Sequence, residues 1–152
     1  MIRTKKRMAL CIVLLCIILA FIWGNSLMPG AVSQAISDWV QSLLFDVQPR
    51  NGVPAPGNGL LRKAAHFTEF ALLGMDLAWL FGMLDKKKWL TFASGLTVAC
   101  IDETIQAFVP ERAPGILDVC IDGCGVLAGI LLLYLGHSYF MKKQTNDPME
   151  DK

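Results

Sequence analysis

The sequence predicts an all-α, polytopic membrane protein: four transmembrane helices in a bundle plus one outer amphipathic helix. Three observations carry this expectation. The chain has 152 residues, enough for a single domain spanning 1–152. It is 54% hydrophobic, above the roughly 45–50% of a soluble domain, and its mean hydropathy is +0.47. The apolar residues gather into runs of the length that crosses a bilayer, about 20 residues at about 1.5 Å each.

The first span covers 8–28, "MALCIVLLCIILAFIWGNSLM", and carries no charge. A basic start, "MIRTKKR", followed by an apolar run also describes a signal peptide. This run is long, and no small-x-small cleavage site follows it cleanly, so a retained anchor is expected. Next, "AVSQAISDWVQSLLF" (31–45) places Val32, Ala35, Ile36, Trp39, Val40, Leu43 and Leu44 on one helical stripe. Ser33, Gln34, Ser37, Asp38, Gln41 and Ser42 take the other side. That is amphipathic periodicity in a segment too polar to span. It reads as a helix lying on the outer leaflet or over the bundle mouth, or equally as a packed connector. The Pro- and Gly-rich "PRNGVPAPGNG" (49–59) then reads as a loop.

Spans two to four are expected at 64–84, 89–109 and 116–139. Lys and Arg in the flanking loops set the orientation. Ten of them fall before the first span, in the Lys86–Lys88 turn and after the fourth span; Arg50, Arg62, Lys63 and Arg112 make four on the other side. Both termini are therefore expected in the cytoplasm. A formal net charge of +1 argues against a nucleic-acid partner. The five cysteines all lie within spans, with no Cys-x-x-Cys pair, and read as small apolar packing.

These spans also contain ionisable groups. Arg62, His66 and Glu69 stand at i, i+4 and i+7, with Lys63 beside them and Asp76 farther along. Asp102 and Gln106 are one turn apart, with Glu103 on the same patch. Asp118, Asp122, Gly125 and Gly129 form one stripe, and Gly125-x-x-x-Gly129 permits a close helix approach. A carboxylate at the centre of a lipid-facing helix costs about 2.5–3.5 kcal/mol. Several of them are affordable only if they face one another. The stripes therefore predict an outward-open polar cavity lined by Arg62, Lys63, His66, Glu69, Asp102, Glu103, Gln106, Asp118 and Asp122, with Arg112 at its rim. A structural ion-pair network between helices would use the same residues.

Three pieces in order, "RKAAHFTEFALLG" (62–74), "DETIQAFVPER" (102–112) and "DVCIDGCGVLAG" (118–129), resemble the VanZ-like family of bacterial integral membrane proteins. Phe70 stands where that family often has Tyr, Glu111 where it often has Gly, and Asp122 where Asn is more usual. The resemblance implies a link to teicoplanin-type glycopeptide resistance. Three mechanisms fit the residues. The first is binding of a lipid-linked cell-wall precursor or a lipoglycopeptide among membrane lipids. The second is an intramembrane enzyme using His66 or Glu103 as general base. The third is a small proton-coupled carrier, compatible with a homo-oligomer. His66, Glu69, Asp102, Glu103 and Asp122 offer donors for a divalent ion. Neither Gly-x-Ser-x-Gly nor His-Glu-x-x-His is present, and the sequence assigns no metal or other cofactor.

Overall fold

A computed structural model describes residues 2–45 and 58–146, and all of the secondary structure among them is helical. The order is α1 (Ile2–Ser26), α2 (Gly30–Phe45), α3 (Asn58–Met83), α4 (Lys88–Gln106) and α5 (Ile116–Asn146). Most of the expected loop at 49–59, with Arg50, lies outside the described residues. Two stretches are long and apolar enough to cross a membrane, Thr4–Ser26 in α1 and Ile116–Tyr139 in α5. In α3 and α4 the apolar run is interrupted by the ionisable residues singled out above.

The expected boundaries shift for a physical reason. A helix is bounded by its backbone hydrogen bonds, whereas an apolar run marks only where side chains are greasy. So α3 begins six residues before 64, in the polar "NGLLRK", and α5 runs on through Asn146. Helix α4 stops at Gln106, and Ala107–Val109 close as turns on Glu103, Ile105 and Gln106.

Side-chain burial is inverted relative to a soluble domain. Ile17, Phe21, Leu131, Leu132 and Leu135 all point outward, while Glu69, Asp76, Asp102, Glu103 and Asp122 are buried. A small core of Ile22, Phe70, Leu73, Leu77, Ala99 and Val126 holds α1, α3, α4 and α5 together. The tightest pairing is α3 with α5. Cβ atoms at Gly74 and Gly129 would land on the carbonyl oxygens of Val126 and Ala71, so bare glycine is required on both sides of the seam. The expected role of Gly125-x-x-x-Gly129 is met in this contact. At the opposite end of the bundle, Lys88 Nζ sits 4.6 Å above the Tyr134 ring and ties α4 to α5.

Two expectations change. Of the five cysteines only Cys11 is buried; Cys16, Cys100, Cys120 and Cys124 face outward, so packing explains one of them. And α2 turns its apolar stripe away from the bundle. Trp39 is 65% exposed and Leu43 70%, while Gln41 is buried. Ser33, Ser37 and Val40 are half-buried on the side toward α3. Helix α2 thus packs on α3 mainly through its polar side, and most of its apolar stripe faces outward.

The entry to α2 explains an odd residue. Glu111 has φ +60°, in the left-handed region that favours glycine. Its Oε2 accepts from the Ala31 N–H at 2.9 Å, while Gly30 N–H donates to Pro110 O at 3.1 Å. The side chain thus caps α2 from another part of the chain. Glu111→Ala is expected to lower stability by about 1 kcal/mol, through loss of the cap. Glu111→Gly loses the same cap but relieves a strain of about 1 kcal/mol, leaving stability near wild type. Thermal unfolding of both variants in detergent checks this.

Candidate functional site

Four helix ends and one loop meet at one end of the bundle. Helix α1 brings Asn25 and Ser26; α3 brings Arg62, Lys63, His66 and Glu69; α4 brings Asp102, Glu103 and Gln106; and α5 brings Asp118 and Asp122. The 107–115 loop adds Arg112.

Asp102 lies at the centre, fully buried. Ser26 Oγ donates to its Oδ1 at 2.6 Å, and Gln106 Nε2 donates to its Oδ2 at 3.0 Å. The same Gln106 amide group lies 3.2 Å from Ser26 Oγ, closing a triangle across α1 and α4. Hydrogen bonds to a charged group contribute about 1.5–3 kcal/mol each, enough to hold this carboxylate in place. His66 Nδ1 stands 3.9 Å from Asp102 Oδ2 and 3.8 Å from Asp122 Oδ1. One imidazole therefore sits between two carboxylates.

Above this triad is a small cavity of about 20 Å³ lined by Arg62, Lys63, His66, Glu103, Gln106, Asp118 and Asp122. That is room for about one water molecule. Glu103 Oε2 accepts from the Gly115 N–H at 2.9 Å, which latches the loop onto α4, and its Oε1 has no hydrogen-bond partner. Asp118 is half-exposed at the mouth and pairs with Lys63 at 3.6 Å.

A second chamber of about 180 Å³ lies under α2, between Ser33, Ser37 and Val40 on one side and Arg62, His66, Glu69 and Arg112 on the other. Asn25 Nδ2 donates to Glu69 Oε1 at 2.9 Å. Arg112 does not pair with the carboxylates, contrary to the simplest expectation for a rim arginine. Its Nε donates to Met28 O at 3.2 Å, in the turn after α1, and a terminal nitrogen donates to Asn25 O at 3.0 Å, capping the end of α1. Burial and the nearby Arg62 guanidinium pull Arg112 below its ordinary pKa, but an arginine stays charged. The chamber shares Leu61, Ala65 and Glu69 with an apolar groove of about 620 Å³ between α1 and α3, walled by Ile17, Ile18, Phe21 and Leu72.

All ten residues singled out in the sequence thus fall at this end. Seven line the small cavity, Asp102 lies beneath it bonded to Gln106, and Glu69 and Arg112 line the second chamber. Asp76 is separate: it is buried farther down α3, facing the Cys11 thiol of α1. Asn25 and Ser26 are not among the residues singled out in the sequence, because neither carries a charge. Their signal was the polar pair closing the otherwise apolar "CIILAFIWGNSL".

The fold and site define a class: a helical bundle with an apolar exterior, membrane-length helices at its start and end, and a buried polar centre at one end. The VanZ/LLP1 family model matches residues 10–137. The match covers most of the chain, and the chain belongs to the VanZ/LLP1 family. No curated protein and no solved structure matches it.

Proposed function

We propose that this chain is a multi-pass protein of the bacterial cell membrane that binds an amphiphile of the outer leaflet, its charged headgroup in the chamber under α2 and its tail in the α1–α3 groove. The carrying observation is the continuity of those two spaces through Leu61, Ala65 and Glu69. A chamber with Arg62, His66, Glu69 and Arg112 in its wall, opening sideways into a 620 Å³ apolar groove, suits a headgroup joined to an acyl chain. Arg62 and Arg112 suit an anionic group. Glu69, held on Asn25, suits hydroxyl or ammonium groups beside it.

The inverted burial supports four spans. The carboxylates that make α3 and α4 look polar in sequence are turned inward, leaving a large apolar exterior. The excess of Lys and Arg at the other end puts the site outside and both termini in the cytoplasm. The outward apolar face of α2 then rests in the outer leaflet beside the chamber. An acylated glycopeptide of the teicoplanin type or a lipid-linked wall precursor fits this description, and binding either would contribute to glycopeptide resistance or to envelope-lipid handling.

The test is expression in a susceptible Gram-positive host, scored for growth on teicoplanin and on vancomycin. Protection against the lipid-tailed drug, with little against the other, is expected. Equal sensitivity with and without the chain removes the resistance role. An intramembrane enzyme acting on the same precursor is the second reading, favoured by the unbonded Glu103 Oε1 in the small cavity beside His66. Conversion of a bound headgroup, followed by mass spectrometry, distinguishes it from binding alone.

A further inference from the structure

We propose that His66, Asp102 and Asp122 form a site for a divalent transition metal of the Zn²⁺ type. The three come from α3, α4 and α5, and one donor atom from each lies within 4.8 Å of the others. Nitrogen to oxygen distances of 3.8 and 3.9 Å are too long for hydrogen bonds. They lie close to the donor–donor edge of a tetrahedral zinc site, about 3.4 Å for bonds of about 2.1 Å. The third edge, between the two carboxylates, lies within 4.8 Å, so a closure of up to about 1.4 Å completes the set, within side-chain motion.

A second observation is independent of the spacing. Asp122 is 1% exposed, and neither of its oxygens has a hydrogen-bond partner. It lines the same 20 Å³ cavity as His66. A buried carboxyl with both oxygens unpaired is costly in its ionised form unless it takes up a proton or a cation. Of the nearby cations, Lys63 pairs with Asp118, Arg112 bonds the Asn25 and Met28 carbonyls, and Arg62 lines the cavity wall without a hydrogen bond to Asp122. A divalent ion offsets the two carboxylate charges at once. The outer shell is already built, since Ser26 and Gln106 orient the Asp102 carboxylate.

The donor set selects among ions. One imidazole with two carboxylates suits Zn²⁺ or Mn²⁺; an all-oxygen shell would be expected for Mg²⁺ or Ca²⁺. The coordination position not supplied by protein faces the cavity, where Glu103 Oε1 is unbonded and Arg62 and Lys63 form the wall. An open position of that kind takes water or an anionic oxygen. The site stands without the amphiphile reading, and its test does not use a lipid.

The full-length chain, purified in detergent and stripped with chelator, is titrated with Zn²⁺, Mn²⁺ and Mg²⁺ and assayed for bound metal. About one Zn²⁺ per chain is expected, with Mg²⁺ much weaker. Asp122→Asn, nearly isosteric, is expected to lower Zn²⁺ affinity by about 100-fold or more, beyond what outer-shell changes cost. His66→Ala should do the same, and both should keep wild-type elution in size exclusion. Cobalt at the site should show no thiolate charge-transfer band, and Cys120→Ser/Cys124→Ser should bind as wild type. Substoichiometric zinc in the wild type overturns the proposal. So does undiminished binding by Asp122→Asn, or a thiolate band lost with the cysteines.

Discussion

Gly129→Leu is expected to prevent stable folding. A Cβ at 129 would fall on the Ala71 carbonyl oxygen of α3 and 2.9 Å from Met75 N. Both are backbone atoms of a helix, so neither can rotate away as a side-chain end does. Overpacking against flexible neighbours costs about 1–3 kcal/mol, and a backbone obstacle puts this change at or above the upper end. The consequence extends to the site. Helix α3 carries Arg62, His66 and Glu69, and α5 carries Asp118 and Asp122, so parting them opens the small cavity. Gly136→Leu is the control on the same helix, because a Cβ there meets nothing within 4 Å. Yield of monodisperse protein and thermal unfolding in detergent should separate the two by a wide margin. Comparable behaviour would mean that α3 and α5 do not pack through this seam.

Ala65→Trp is expected to weaken binding of the proposed amphiphile by roughly 60-fold while leaving the fold intact. Ala65 is exposed and lies where the polar chamber meets the apolar groove. An indole placed there fills the junction. Exposed substitutions away from special features usually shift stability by no more than about 0.5 kcal/mol. The ligand loses far more. Expelling about three methylenes from the groove, at about 0.8 kcal/mol each, forfeits about 2.4 kcal/mol, or roughly 60-fold in affinity. Protection of a teicoplanin-challenged host should fall with it. Undiminished protection would mean that the two spaces are not used together.

The polar residues could be read from sequence because membranes make charge expensive. Arg62, His66, Glu69, Asp102, Asp118 and Asp122 stand out against an apolar background, and helical periodicity alone puts them on stripes. Their partners were harder to find. Ser26 and Asn25 are neutral and cheap to place almost anywhere, so nothing local marks them as the hydrogen-bond donors to Asp102 and Glu69. The partners of Arg112 were equally hidden, because the open carbonyls of Asn25 and Met28 carry no sequence signature. The division into a small cavity over His66 and a larger chamber under α2 depends on how α2 folds back. That is set by the Glu111 cap and the contact of Gly30 with Pro110, a long-range pairing invisible to periodicity. Glu111 itself was visible as a departure from a frequent glycine, and its positive φ supplies the reason that glycine suits the position.

The most direct test asks which side of the membrane the buried charges open onto. In a cysteine-free background, Asp118→Cys, at the half-exposed mouth, and Lys87→Cys, in the turn before α4, are treated in intact cells with a membrane-impermeant maleimide. The account predicts labelling at 118 in intact cells and at 87 only after permeabilisation. Labelling at 87 with silence at 118 would contradict it.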